Sequence, residues 1–125
     1  MKKIINTSSA PAPIGPYNQA VLAGNTLYVS GQIALDAETG KMLNDSMADE
    51  TRQVMKNITA VLTEAGMSFK NIVKTTIFLK NLGDFNVVNE IYGSFFKDNF
   101  PARETVEVSK LPKDANVEIS VIAVQ

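Results

Sequence analysis

Two rhythms of apolar residues run along this chain. From residue 26 to 35, Leu27, Val29, Gly31, Ile33 and Leu35 alternate with Tyr28, Ser30 and Gln32, the period of a strand with one buried face. Residues 19–23 form a shorter run before it, and the intervening Gly24-Asn25 suits a hairpin turn. Residues 2–6 read as a short edge strand, and residues 8–16, with three prolines and Gly15, as an ordered irregular loop closed by Tyr17. The rhythm then changes. Val54, Ile58, Val61, Leu62 and Ala65 recur at helical steps, with Asp45 or Ser46 to cap the start and Gly66 to end the helix. A second helical stripe, Phe85, Val88, Ile91, Tyr92, Phe95 and Phe96, follows Asp84 as its cap. Between the helices, the β-branched run of residues 71–80 predicts a strand buried on both faces. Residues 102–109 and 117–124 are two final alternating strands, joined by a loop at 110–115 that contains a turn.

The resulting order, βββαβαββ, predicts an α+β fold: a two-layer mixed β-sheet with two helices on one face. Its other face needs cover, and self-association is the simplest source of it. At 125 residues, without an internal repeat, the chain is expected to form a single domain over residues 1–125.

Composition narrows the chemistry. The sequence has no histidine and no cysteine, which removes the usual proton shuttles, thiol nucleophiles and zinc ligands. Carboxylates, Arg, Lys, Tyr, hydroxyls, backbone groups or water must carry any reaction, and no metal site is expected. A net charge of −1, with 12 basic residues scattered among 13 acidic ones, argues against nucleic-acid binding. Residues 1–12 lack an apolar run long enough for secretion, and no later stretch approaches the ~20 apolar residues of a membrane helix. A cytoplasmic protein is the expectation, and the absence of cysteine fits a reducing compartment.

Several residues are candidates for function. Arg103, on a strand with Thr105, Glu107 and Ser109 in its outward set, is suited to hold a carboxylate by paired hydrogen bonds, or else makes a surface salt bridge. Glu118 has apolar neighbours; partly desolvated, it would exchange protons near neutral pH, whereas on a polar face it would be an ordinary solvated carboxylate. Ser30-Gly31 permits close backbone approach to a ligand, or marks a β-bulge. Tyr17 either closes a pocket or simply packs, and Asn89 either fixes polar geometry or is solvated. Were the last two strands a plain hairpin, Arg103 and Glu118 would stand about 13 Å apart along the sheet, too far to share a small ligand. Either the strands are not simple neighbours, or the two residues meet across a subunit boundary.

Ala12-Pro13-Ile14-Gly15-Pro16-Tyr17-Asn18-Gln19-Ala20, Val29-Ser30-Gly31-Gln32-Ile33, Val88-Asn89-Glu90-Ile91-Tyr92, Pro101-Ala102-Arg103, Val106-Glu107-Val108, Leu111-Pro112-Lys113-Asp114 and Val117-Glu118-Ile119 occur in this order over nearly the whole chain. In them the sequence closely resembles the Rid/YjgF family, specifically the RidA-type 2-iminobutanoate/2-iminopropanoate deaminases. The resemblance implies a chorismate-mutase-like subunit, a homotrimer with three intersubunit clefts, and cofactor-free hydrolysis of short 2-imino acids to 2-oxo acids and ammonia. By position, Arg103 would bind the substrate carboxylate and Glu118 would activate water; Tyr17 would flank the cleft, Ser30, Gly31 and Asn89 would complete it, and Thr105 would line it. The chain departs from the common pattern at Glu104-Thr105, where many relatives carry Ser-Cys; on a regular strand Glu104 points away from Arg103, so the carboxylate clamp is expected to survive. The leading alternative is a regulatory trimer that binds small carboxylates without turnover; a second is ribonuclease or translation-inhibitor action, also attributed to this family, and a third, chaperone-like holding, needs an exposed apolar surface that the sequence does not reveal.

Overall fold

A computed structural model describes residues 1–125 and has the expected α+β order, with six strands in one mixed sheet and two α-helices on one face. The strands are β1 (Lys2–Ile5), β2 (Ala20–Ala23), β3 (Thr26–Gln32), β4 (Ile72–Leu79), β5 (Ala102–Glu107) and β6 (Val117–Val124); the helices are α1 (Met47–Glu64) and α2 (Phe85–Gly93). Their order across the sheet is β1-β2-β3-β6-β4-β5. All neighbours are antiparallel except β4 and β5, which run parallel because α2 carries the chain back between them.

Ser46 caps α1, its Oγ accepting from the Asp49 amide at 3.0 Å, while Asp49 and Glu50 place negative charge on the positive end of the helix. Gly66, at φ 73°, reverses the chain after the last turn. Ile58, Val61 and Leu62 then pack on Leu27, Ile77 and Ile119 of the sheet, forming the main core. No helix is long and apolar enough to cross a membrane.

The last two strands are not simple neighbours, one of the two arrangements left open above: β6 lies between β3 and β4, and β4 separates it from β5. Three local expectations need correction. β4 is therefore central, yet it buries only alternate residues, leaving Val73 exposed and Thr76 and Phe78 half-buried on the helix-free face of this single chain. Asp84 makes no side-chain cap; the polar cap is Asn81, which accepts from the Gly83 amide at the preceding 3-10 turn. Finally, Arg103 and Thr105 do not point outward but lie on the helix side of β5, in register with the buried Thr75 and Ile77.

Candidate functional site

The geometry begins with a fault in β3. Val29 pairs with Val121 but Gln32 pairs with Ile119, so three steps on β3 match two on β6. This bulge reverses the alternation expected for residues 26–35. Gln32 turns into the buried side with Leu27 and Val29, and Gly31 turns outward to the helix-free face, beside Glu118. A Cβ at Gly31 would lie 2.7 Å from Glu118 Cδ, so only glycine lets this carboxyl rest on the strand. The strand ends here because Ile33–Leu35 leaves the sheet to line a cavity.

That cavity, of about 380 Å³, holds Glu118 at one wall with Tyr17, Ser30 and Gly31 around it. Ile14, Ile33, Leu35 and Pro112 make much of the remaining lining apolar. Ser30 Oγ donates to Asn18 O at 2.6 Å, joining the Pro-rich loop to the bulge. The Tyr17 hydroxyl accepts from the Ile14 amide at 3.4 Å, while the tyrosine remains exposed. Glu118 is half-buried and enters none of the ion pairs of the structure. Burial raises its pKa above the ordinary 4.5, with no cation or donor opposing the shift.

Arg103 occupies a second place. Its guanidinium lies 5.2 Å from the Tyr92 ring centroid and 5.7 Å from that of Phe85, stacked under α2 rather than paired with a carboxylate. Tyr92 is held by its own hydroxyl, which donates to Thr75 Oγ1 at 2.9 Å, and burial raises its pKa. Asn89, Gly93, Phe100 and Pro101 complete a groove of about 370 Å³ at this arginine. Thr105, two residues on, is on the same side of the strand, and its Oγ1 is buried without a hydrogen-bond partner.

Glu104 points the other way, as strand alternation requires. Thr76 Oγ1 donates to its carboxylate and Lys74 Nζ stands 2.9 Å from Oε1; these two partners hold its pKa below the carboxylate norm. Its charge is matched on the face opposite Arg103.

The seven residues singled out in the sequence therefore form two groups: Tyr17, Ser30, Gly31 and Glu118 at one cavity, Asn89, Arg103 and Thr105 at or beside the other. Arg103 pairs across β4 with Thr75, and Thr75 with Val121, three residues from Glu118. Two strand spacings and three residues of rise put the two positions roughly 14 Å apart, on opposite faces of the sheet. No small ligand spans them within one chain. Sequence reasoning missed Gln19, buried at the first cavity, and the aromatic support of Arg103. The stripe residues Phe85 and Tyr92 were visible as helix core, but nothing local in the sequence assigns them to an arginine on a strand that follows.

Residues 7–125 match the family model described as Endoribonuclease L-PSP. The human 2-iminobutanoate/2-iminopropanoate deaminase is 46% identical over 125 residues, covering 100% of this chain and 91% of the relative. Among solved structures, a protein of the conserved Rid family from Yersinia pestis, YyfA, superposes with a TM-score of 0.97 at 51% identity, covering 100% of both chains. Escherichia coli TdcF, crystallised with bound serine, superposes with a TM-score of 0.94 at 40% identity over 98% of both chains.

Proposed function

The chain belongs to the Rid/YjgF family, and from that premise we propose that it is an imine deaminase acting on short 2-imino acids such as 2-iminobutanoate and 2-iminopropanoate, in clefts between three identical subunits. The observation that carries the reading is Glu118: a carboxyl without a cation, pressed against Gly31 in a largely apolar cavity, with a raised pKa. Such a group holds a proton more readily than an ordinary carboxylate and can pass it to and from water and amines. Its counterpart is Arg103, a guanidinium free of protein carboxylates and oriented by two aromatic rings, ready for a bidentate anion. Because the two stand apart in one chain, the reading needs Arg103 of one copy to face Glu118 of another.

In that arrangement the arginine anchors the substrate carboxylate and the apolar cavity takes the side chain. Glu118 removes a proton from water as its oxygen adds to C2 of the protonated imine. The carbinolamine nitrogen accepts that proton from the same carboxyl; as the C–N bond breaks and ammonia leaves, the hydroxyl gives its proton back to the freed carboxylate, which passes it to ammonia or solvent, leaving the 2-oxo acid. Substrate and water supply all atoms, and the electrophilic carbon needs chiefly orientation and one proton carrier.

The test uses 2-iminobutanoate generated by a threonine dehydratase. The wild-type chain should speed release of 2-oxobutanoate, and Arg103→Ala and Glu118→Ala should each lower the effect about a hundredfold or more. A second reading, a trimer that binds small carboxylates without turnover, is favoured by the serine-bound relative. Binding of 2-oxobutanoate with no acceleration of imine loss over buffer would establish it instead. Ribonuclease action, which the family model's description names, is disfavoured by a net charge of −1, which supplies no overall attraction for a polyanion.

A further inference from the structure

Three irregular backbone segments wall the Glu118 cavity, and each is tied down by buried polar side chains from elsewhere. The Pro-rich loop is held by Gln19. Its Oε1 accepts from the Thr7 amide at 2.6 Å, and its Nε2 lies 3.0, 3.2 and 2.9 Å from the carbonyls of Thr7, Ala10 and Pro11. Residues 33–35 are held by α1: Asn57 Nδ2 donates to Ile33 O and Leu35 O, and Gln53 Nε2 donates to Leu35 O and to Asn57 Oδ1. The turn at Pro112–Asp114 is held by Glu50, which accepts from the Asn116 amide at 2.7 Å and from its Nδ2 at 2.8 Å. Gln19, Gln53, Asn57 and Glu50 are all buried, and of the four only Gln19 borders the cavity.

Irregular loops at a cavity usually yield, since their backbone groups bond to water. Here the amides and carbonyls are satisfied internally, and the side chains satisfying them spend their polar atoms on the walls. We propose that these buried clamps, Gln19 foremost, are positioning residues that fix the distance between the Ile14 wall and Glu118, and so set the length of apolar side chain the site accepts. The inference rests on the imine-deaminase reading for its substrate but not for its geometry. Gln19 neither bears the charge of the reaction nor presents an apolar surface; it acts on the loop it holds at Thr7, Ala10 and Pro11, which goes on to carry Ile14 into the cavity lining, and the Ile14 side chain is exposed and free to be truncated without opening the core.

The experiment measures binding of the straight-chain 2-oxo acids, from three to six carbons, to the assembled protein by calorimetry. Hydrolysis of the matching imines, generated by an amino-acid oxidase, is followed in parallel. Ile14→Ala and Gln19→Ala should weaken the longer ligands by about fourfold for each methylene that loses its wall, with the three-carbon acid changed by less than about twofold. The double variant should match Ile14→Ala alone, because both remove one wall. Gln19→Met, which keeps the volume but not the bonds, carries the comparison where truncation prevents folding, and Asn57→Ala repeats it on the opposite wall. Equal weakening at every chain length, or additive losses in the double variant, would overturn the proposal. Oxo-acid binding with the expected length dependence but no imine turnover would sink the deaminase reading and leave the clamps standing.

Discussion

A carboxyl that works while uncompensated should cost the protein stability, and Glu118 allows this to be measured. Burial raises its pKa above 4.5, so the folded state favours the protonated form. As pH rises from the ordinary carboxylate value through the raised one, the folded chain binds the extra proton less and less, and stability falls. Glu118→Gln removes that loss. We expect it to melt higher than wild type at pH 7–8, to converge with it near pH 4, and to be inactive; scanning calorimetry across this range checks the sign, and an unchanged difference between the two pH values refutes it. Gly31→Ala probes the same group from the other side. The new methyl meets no backbone, only the Glu118 side chain from Cγ to the carboxyl, so the fold should persist with a melting shift of a few degrees, while displacement of the carboxyl lowers imine hydrolysis about tenfold or more. At this scale the sequence was informative where a residue type is chemically unusual for its place: a glutamate among apolar strand positions, and a glycine beside a serine in a strand. It was uninformative about partners. A surface salt bridge for Arg103 was a fair expectation, and only the packing of α2 reveals aromatic rings in place of a carboxylate.

Hydrophobic spacing together with residue type identified every strand and both α-helices, since both are local properties. It failed where a tertiary bond overrides local preference. Residues 33–35 continue the alternation of β3, yet they leave the sheet because Asn57 and Gln53, two turns along α1, take up their carbonyls. The pairing of β5 and β6 was left open for the same reason: a short turn between two alternating strands allows a hairpin, and β4 comes between them only through the parallel crossover at α2. The turn itself carries strain, with Lys113 and Asp114 at φ 55° and 56°, a region that side chains with a Cβ enter at a cost. Glu50 helps to hold it from α1, and the chemistry is exacting, because the Asn116 amide and Nδ2 are both donors and a carboxylate offers an acceptor to each. Glu50→Gln must turn an NH2 group toward one of them. We expect a loss of about 1–3 kcal/mol in denaturant titration, close to that of Glu50→Ala despite the preserved volume. Equal stability of Glu50→Gln and wild type would show that the turn holds without the clamp.

At the scale of the molecule, the helix-free side of the sheet presents Tyr28 beside Ile122, with Val73 exposed and the Lys74–Glu104 pair nearby. The need for cover on this face was readable from two helices serving one side of a sheet; which residues it would join was not, because the two groups of candidate residues lie on opposite faces and no pattern within one chain relates them. Self-association through this face, as the deaminase reading requires, makes a claim that mass alone does not test: each active cleft draws Arg103 and Glu118 from different copies. Neither Arg103→Ala nor Glu118→Ala should hydrolyse the imine alone. Refolded together in equal amounts, they should recover activity, because a cleft that takes its arginine from a Glu118→Ala copy and its carboxyl from an Arg103→Ala copy is intact. Random assembly into closed trimers leaves one such cleft in every mixed ring, or about a quarter of the wild-type sites. Light scattering would confirm that the mixed species has the mass of the parent. Recovery near that fraction requires a site shared between chains, and none at all, with mixed assemblies present, would place both groups in service of the same copy and end the intersubunit cleft as an account of this protein.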